Sequence, residues 1–495
     1  MELQFESRKV SCLQQVKWET KQQELTQEVR LTEQQPDIGS VLAAWGQCLI
    51  RGKQWHSGSM EVSGGVMAFV LYSPEDGSPS RNVQTWLPFS FRWELPQTKH
   101  DGVIQVRCRL TGMDARSASA RKLIVRADVL AVAEAMVPEE QELLQLKDPP
   151  EDLQLHVQKI PVTIPSEAGE KAFAIEDTLQ FTGNGPVPER MVRYHIHPEI
   201  IDRKVMSDKV VFRGTALVHT LFADSEGLLY SRDFEVPFSQ YAQLDREHDP
   251  EAVCTVCPVV TALEVEQNDQ GAWQMKAGFA CQYVVFDTPV LELIQDAYSN
   301  LRHTESVVTE LPLPAMLHRE ESLVNLSAQP EAQGSRGVDA EVYYYQPTEE
   351  EGEIELSGNT QLLYTDMEGQ LQTVHVPWHH RVSHTKEGQT HLQVTAVPSG
   401  KVRSSVSPSG SEVQWDLLVD MVRNQNGGLQ QLSKLDVSEP RTPAPDRPSL
   451  ILRKPGTENL WTLAKLCGST EESIRNANGL DGEPEPGKLL LIPVQ

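Results

Sequence analysis

Apolar and polar residues alternate in one recurring pattern along the chain. Val62, Val66, Ala68, Val70 and Tyr72 fall on every second position, and so do Phe212, Ala216, Val218 and Phe222. A period of two is that of a β-strand with one face buried. Each run ends at an acidic-glycine pair, Asp76-Gly77, Glu226-Gly227 or Glu368-Gly369, where the chain must turn with positive φ. A second β-rich run follows, so the pattern predicts a hairpin.

The hairpin occurs three times, as "EVSGGVMAFVLYSPEDGSPSRNVQTWLPF", "VVFRGTALVHTLFADSEGLLYSRDFEVPF" and "IELSGNTQLLYTDMEGQLQTVHVPW". Matching positions are Gly64, Gly214 and Gly358, then Tyr72, Phe222 and Tyr364, then Gly77, Gly227 and Gly369, then Pro88-Phe89, Pro237-Phe238 and Pro377-Trp378. The third copy is shorter by about two residues, and an even deletion keeps every side chain on its own face of the sheet. Spacing of roughly 140–150 residues marks a tandem repeat. "QPDIGSVL" and "VPERMV" precede the first two hairpins, with "QPEAQGSRGV" as an echo before the third. The fold class expected is therefore mainly β, with three repeats at 1–145, 146–300 and 301–437. "VPEEQELLQLKDPPED" and "SEPRTPAPDRPS" have the proline-rich, acidic composition of linkers, and the second gives a linker at 438–449.

The remaining residues, 450–495, change period. Leu450 to Leu452 form a short apolar strand, and Gly456-Thr457 turn the chain into a helix with Leu460, Leu463, Ala464 and Cys467 on one face. Gly468 stops it. Ser469 with Glu472 forms a capping box for a second helix carrying Ile474 and Ala477, which ends at Asn478-Gly479. "KLLLIP" closes as a strand, giving a βααβ tail whose small core rests on Leu460, Trp461, Leu463 and Ile474.

"GTENLWTLAK", "NGL" and "GKLLLIP" resemble the signature elements of LysM domains, with one extra residue between Gly456 and Glu458. The resemblance implies a groove for N-acetylglucosamine polymers such as peptidoglycan. Gly456, Thr457 and Glu458 would line one side and Asn478, Gly479, Leu480 and Asp481 the other. With the repeats included, nearly the whole chain resembles sporulation proteins that carry tandem SPOCS domains ahead of a LysM domain, clostridial members among them. That resemblance implies a protein of the mother-cell cytosol that gathers at the forespore surface. Its LysM domain would contact the morphogenetic ATPase of the spore coat basement layer, with Arg475 as a candidate for the partner surface. A wall-binding fold reused as a protein adaptor needs no export signal.

The charge balance agrees. A net charge of -26 sets the surface against nucleic acid and anionic lipid. Glu2, Glu6, Arg8 and Lys9 break up every apolar stretch at the start, so no secretory leader is expected, and no run is long enough for a membrane helix. Seven scattered cysteines fit a reducing compartment better than a disulfide framework.

Candidate chemistry is thin. Cys254 and Cys257 have the spacing of half a zinc site, but the other half is missing and two buried apolar cysteines are expected. His375, His379, His380, His384 and His391 read as a histidine-rich exposed hairpin, and His195 and His197 as two imidazoles on one strand face in a like setting. No phosphate loop, nucleophile elbow or zincin motif occurs. No metal, cofactor or catalytic residue is expected. A non-enzymatic adaptor is the reading the resemblance implies, with a peptidoglycan-binding envelope protein as the alternative. A wall hydrolase is a weaker rival, because the repeats fill the space a catalytic domain would need.

Overall fold

The computed structural model describes residues 3–181, 185–350, 352–384, 390–425, 428–440 and 448–494. The first unit comprises β1 (Phe5–Arg30), β2 (Ile38–His56), β3 (Ser59–Pro74), β4 (Arg81–Glu94), β5 (Val103–Ser119) and β6 (Lys122–Leu146). The second comprises β7 (Leu153–Pro161), β8 (Ile164–Leu179), β9 (Arg190–Met206), β10 (Lys209–Ala223), β11 (Leu229–Gln243), β12 (Val253–Gln267), β13 (Trp273–Asp287) and β14 (Val290–Ser299). The third comprises β15 (Arg302–Leu311), β16 (Met316–Ala328), β17 (Arg336–Tyr344), β18 (Thr348–Glu350), β19 (Glu353–Thr365), β20 (Leu371–Ser383), β21 (Thr390–Ser407), β22 (Gly410–Gln425) and β23 (Leu429–Pro440). The tail follows as β24 (Leu450–Arg453), α1 (Leu460–Cys467), α2 (Glu471–Asn478) and β25 (Leu490–Pro493). The protein is mainly β, as the alternation predicts, and no helix among the described residues is long and apolar enough to cross a membrane.

One plan serves all three units. A central hairpin strand takes a partner on each side, in the orders β2-β3-β4, β9-β10-β11 and β17-β19-β20. A second sheet, β1-β6-β5, β8-β13-β12 or β16-β22-β21, packs on it across an apolar core. The matched glycines explain the shared register. Gly64, Gly214 and Gly358 lie opposite Phe89, Phe238 and Trp378. A Cβ at any of them would strike that ring and the carbonyl of Leu49, Glu199 or Tyr343 on the neighbouring strand. Gly77, Gly227 and Gly369 turn the hairpins with φ of 75°, 82° and 82°. In the last two turns Asp224 and Asp366 accept backbone N–H bonds at 2.8–3.0 Å, an Asx device on which the composition gave no cue.

One face of β3 was expected to meet solvent; it does not. Val66, Ala68, Val70 and Tyr72 fill the first unit's own core, while Met67, Phe69 and Leu71 join the core of the second. Two units share this strand because adjacent repeats pack face to face.

The supposed linker "VPEEQELLQLKDPPED" is mostly strand. β6 continues through it to Leu146, paired with residues 5–14 of β1, and Leu143 is buried. This two-stranded ribbon recurs as β7–β14 and β15–β23. Prolines mark where ribbon meets head: Pro138 faces Leu13 in the first unit, while Pro289, Pro312 and Pro314 sit in strand breaks of the others. The three ribbons pack on one another around Cys12, Leu143, Leu291, Leu293 and Leu311, and further along around Leu3, Ile294, Ala297, Leu432 and Leu435. Of the linker expected at 438–449, β23 takes residues up to Pro440, and 441–447 lie outside the described residues.

Candidate functional site

The tail is built from its caps. Asn459 accepts the Thr462 N–H at 2.9 Å to open α1, and Gly468, in the left-handed conformation, closes it. Thr470, not Ser469, caps α2, accepting the Ser473 N–H at 3.1 Å. The expected Ser469–Glu472 box fails because the Ser469 N–H is bound back to Ala464 O as part of the α1 terminus. Leu460, Trp461, Leu463 and Ile474 are buried together with Leu490 and Ile492.

The two loops expected to form a groove lie side by side. Gly487 N–H donates to Pro455 O at 2.9 Å, and Leu460 N–H donates to Glu483 Oε2 at 2.8 Å. Gly456, Thr457, Gly479 and Asp481 are exposed along it, and Leu480 leans on the core. Two of the seven residues are spent inside the module. Glu458 accepts from Gly456 N at 2.6 Å and from Arg453 at 2.8 Å, and the Gly456 N–H bond holds its carboxyl below the usual range. Asn478 fastens β25 in both directions, donating to Leu491 O at 2.6 Å and accepting the Leu491 N–H at 2.8 Å. Arg475 reaches Gly482 O at 3.2 Å, leaving Asp481 and Thr457 as the exposed side chains flanking the groove.

The other side of the tail is docked. Trp461 Nε1 donates to Asp296 Oδ2 at 2.9 Å, and Lys465 Nζ reaches the same carboxylate at 2.7 Å. Burial pushes Asp296 up, but those two donors outweigh it and hold the acid below its ordinary value. The Tyr298 hydroxyl and Asn300 Nδ2 both donate to Ser469 O at 2.9 Å. Tyr298 meets the Trp461 indole edge-on, with ring centres 4.8 Å apart, and His156 lies tilted against it at 4.9 Å. The tail therefore sits on the end of the β7–β14 ribbon, although the residues ahead of it have the composition of a linker. Trp461, expected as core alone, is core and interface together.

A second concentration of polar groups lies where the three heads meet, each head touching both others. Arg193 pairs with Asp339 at 2.7 Å and with Glu341 at 2.6 Å, and stacks on Trp45, so all three units share one guanidinium. His219 bridges Asp233 at 2.6 Å and Asp339 at 2.9 Å. Burial pulls this imidazole down, but the Asp339 charge and both hydrogen bonds lift it to about 9. His195 and His197 line this cavity instead of an exposed face, and burial draws both below the ordinary histidine value. His375, His379, His380 and His391 are exposed, whereas His384 is enclosed against Glu349 and Arg423. Cys254 is buried, but Cys257 borders the cavity and takes a hydrogen bond from Arg107. No group of histidine, cysteine or acidic side chains among the described residues is arranged to hold a metal ion. Sequence reasoning missed His219, Arg193 and Asp339, since the pairs that bring them together cross from the second repeat to the third.

Residues 188–268 match the family described as SipL, SPOCS domain. The stretch holds the whole β9-β10-β11 sheet and β12, so the match covers one sheet of the second head and one strand of the sheet packed on it. It makes this segment similar to SPOCS domains and ties the protein to sporulation. No curated protein and no solved structure matches the chain.

Proposed function

We propose, with the SPOCS match at residues 188–268 as premise, that the protein is a non-enzymatic adaptor in endospore envelope assembly whose LysM-like tail docks onto a protein partner. The partner implied by the sequence resemblance is the morphogenetic ATPase of the coat basement layer, met at the forespore surface from the mother-cell side. The match is the observation that carries this reading. Two features of the geometry support it. Three heads joined through Arg193, Asp339, Glu341 and Trp45 hold their surfaces in one arrangement. In the tail, the Glu458 carboxylate and the Asn478 amide, two of the polar side chains expected to line the groove, are already bonded within the module. Glycan binding by this groove remains the alternative.

Full-length protein with Thr457→Arg and Asp481→Arg tests the reading, since both side chains are exposed and unbonded within the fold. These substitutions should reduce capture of the coat ATPase in a pull-down while the melting curve stays unchanged. Tight, saturable binding of chitin oligomers or purified wall, abolished by the same pair while ATPase capture is untouched, would establish the envelope binder instead. Glu458 is unsuitable for this purpose because its removal loosens the loop.

A further inference from the structure

Two cavities of about 450 and 480 Å³ lie between the heads and meet at Arg107, Val132 and Thr395, contributed by the first and third units. Arg107 stands on β5, whose position is fixed by Gln282 of the second unit. The Gln282 carboxamide accepts the Val106 N–H at 2.8 Å and donates to Val106 O at 2.8 Å. Strand alternation then puts Arg107 and Arg109 on one side, facing the cavity.

The interior arginines differ in how they are matched. Arg193 has two carboxylates, Arg203 has Glu321, Arg319 has Asp420 through two bonds, and Arg109 donates to two carbonyls and Gln346. Arg107 has one bond, from Nε to the Cys257 sulfur at 2.9 Å. Among the described residues neither of its terminal nitrogens is reached by a hydrogen bond or by a carboxylate within ion-pair distance. Its two nearest acids are otherwise occupied. Asp420 is held by Arg319, while Glu134 accepts from Gln15 at 2.6 Å and burial pushes it towards the neutral form. The Cys257 sulfur, Asp420 and Glu134 nonetheless keep Arg107 charged against its burial. A guanidinium does not shed its proton, and the terminal nitrogens of the half-buried Arg107 open into the cavity, where they can meet the oxygens of a ligand.

We propose that the junction of the two cavities is a binding site for a small oxyanion, phosphate or carboxylate, held by the terminal nitrogens of Arg107. The planar fork of a guanidinium matches two oxygens of such a group. The bound anion lies where the first, second and third units converge, through Arg107, Cys257 and Thr395, and so ties them together. This site is independent of the adaptor reading and of the tail.

The test uses the full chain and two probes, inorganic phosphate and acetate, each titrated at constant ionic strength with sodium chloride as balance. Calorimetry should give saturable heat with one or both probes, their ratio separating tetrahedral from planar recognition. Iodoacetamide labelling of Cys257 should slow about tenfold at ten times the dissociation constant, with Cys467 in the tail unaffected. Arg107→Gln should abolish both effects, and Arg107→Lys should weaken them. No saturable heat with either probe in the wild-type protein overturns the proposal, since the cavity then holds water alone, and this holds even if Arg107→Gln fails to fold. Equal binding by wild type and a folded Arg107→Gln overturns it too.

Discussion

Replacing Asp296 by alanine should uncouple the tail from the scaffold. The carboxylate accepts the Trp461 indole N–H and the Lys465 ammonium, and the substitution leaves that indole nitrogen without a partner in an enclosed site. A hydrogen bond to a charged acceptor contributes about 1.5–3 kcal/mol. The Lys465 pair adds little, because Lys465 is 42% and Asp296 26% exposed and solvent screens them, so about 0.5 kcal/mol is appropriate. The sum, about 2–3.5 kcal/mol, should be lost from the stability of the tail and from nothing else. Amide hydrogen exchange reads each region separately. Exchange in α1 and α2 should accelerate roughly thirty- to four-hundredfold, at 1.36 kcal/mol per decade, while β3 and β10 stay as protected as before. Asp296→Asn keeps an acceptor for Trp461 and should show about a fivefold effect, close to 1 kcal/mol. Tyr298→Phe should cost less still, because Asn300 continues to donate to Ser469 O. If Asp296→Ala leaves exchange in both helices unchanged, the dock contributes no energy and the reasoning fails.

Gly214→Ala should destabilise the second head by about 1–3 kcal/mol or more, because the new methyl meets the Glu199 carbonyl and the Phe238 ring; an unshifted urea midpoint would contradict this. His219, lifted from an unfolded value near 6.5 to about 9, contributes stability that is complete below pH 6.5 and disappears as the pH rises through 9. The difference is about 3 kcal/mol, so wild type should lose that advantage over His219→Gln between those limits, and parallel pH profiles would refute the assignment. Gln282→Ala orphans both Val106 backbone groups and should cost about 1–3 kcal/mol, read as a lowered urea midpoint; an unshifted midpoint would count against the clamp.

The hairpins were legible in the sequence because everything that makes them is local. Alternation, a turn glycine and a Pro-aromatic closure all fall within thirty residues, and the register follows from Gly214 needing room beneath Phe238. The ribbons were not legible. Leu143 pairs with Arg8, and the acidic, proline-bearing composition around it resembles solvated chain when its partner strand is out of view. The cap of α2 slipped by one residue because Ser469 and Thr470 are chemically equivalent candidates, and only the length of the preceding helix decides between them. The tail's loops could be placed from motif spacing alone. The occupation of Asn478 depends on β25, and the docking of Trp461 on Asp296 on a strand 165 residues away, while Glu458 is taken by Gly456 and Arg453 close by in the chain.

The pairing of β1 with β6 along its full length sets a timetable for synthesis. Phe5 is partnered by Leu146, so the first strand leaves the ribosome well before the residues that complete its sheet exist. At roughly 5–20 residues per second it waits roughly 7–30 s, and β7 and β15 face the same delay before β14 and β23 emerge. A long unpaired strand in a crowded cell is an invitation to join a neighbouring nascent chain. The composition of β1 answers that hazard: Lys9, Lys17, Lys21, Glu19, Glu24 and Glu28 spread charge of both signs along its 26 residues, so that the strand stays solvated until its own partner arrives.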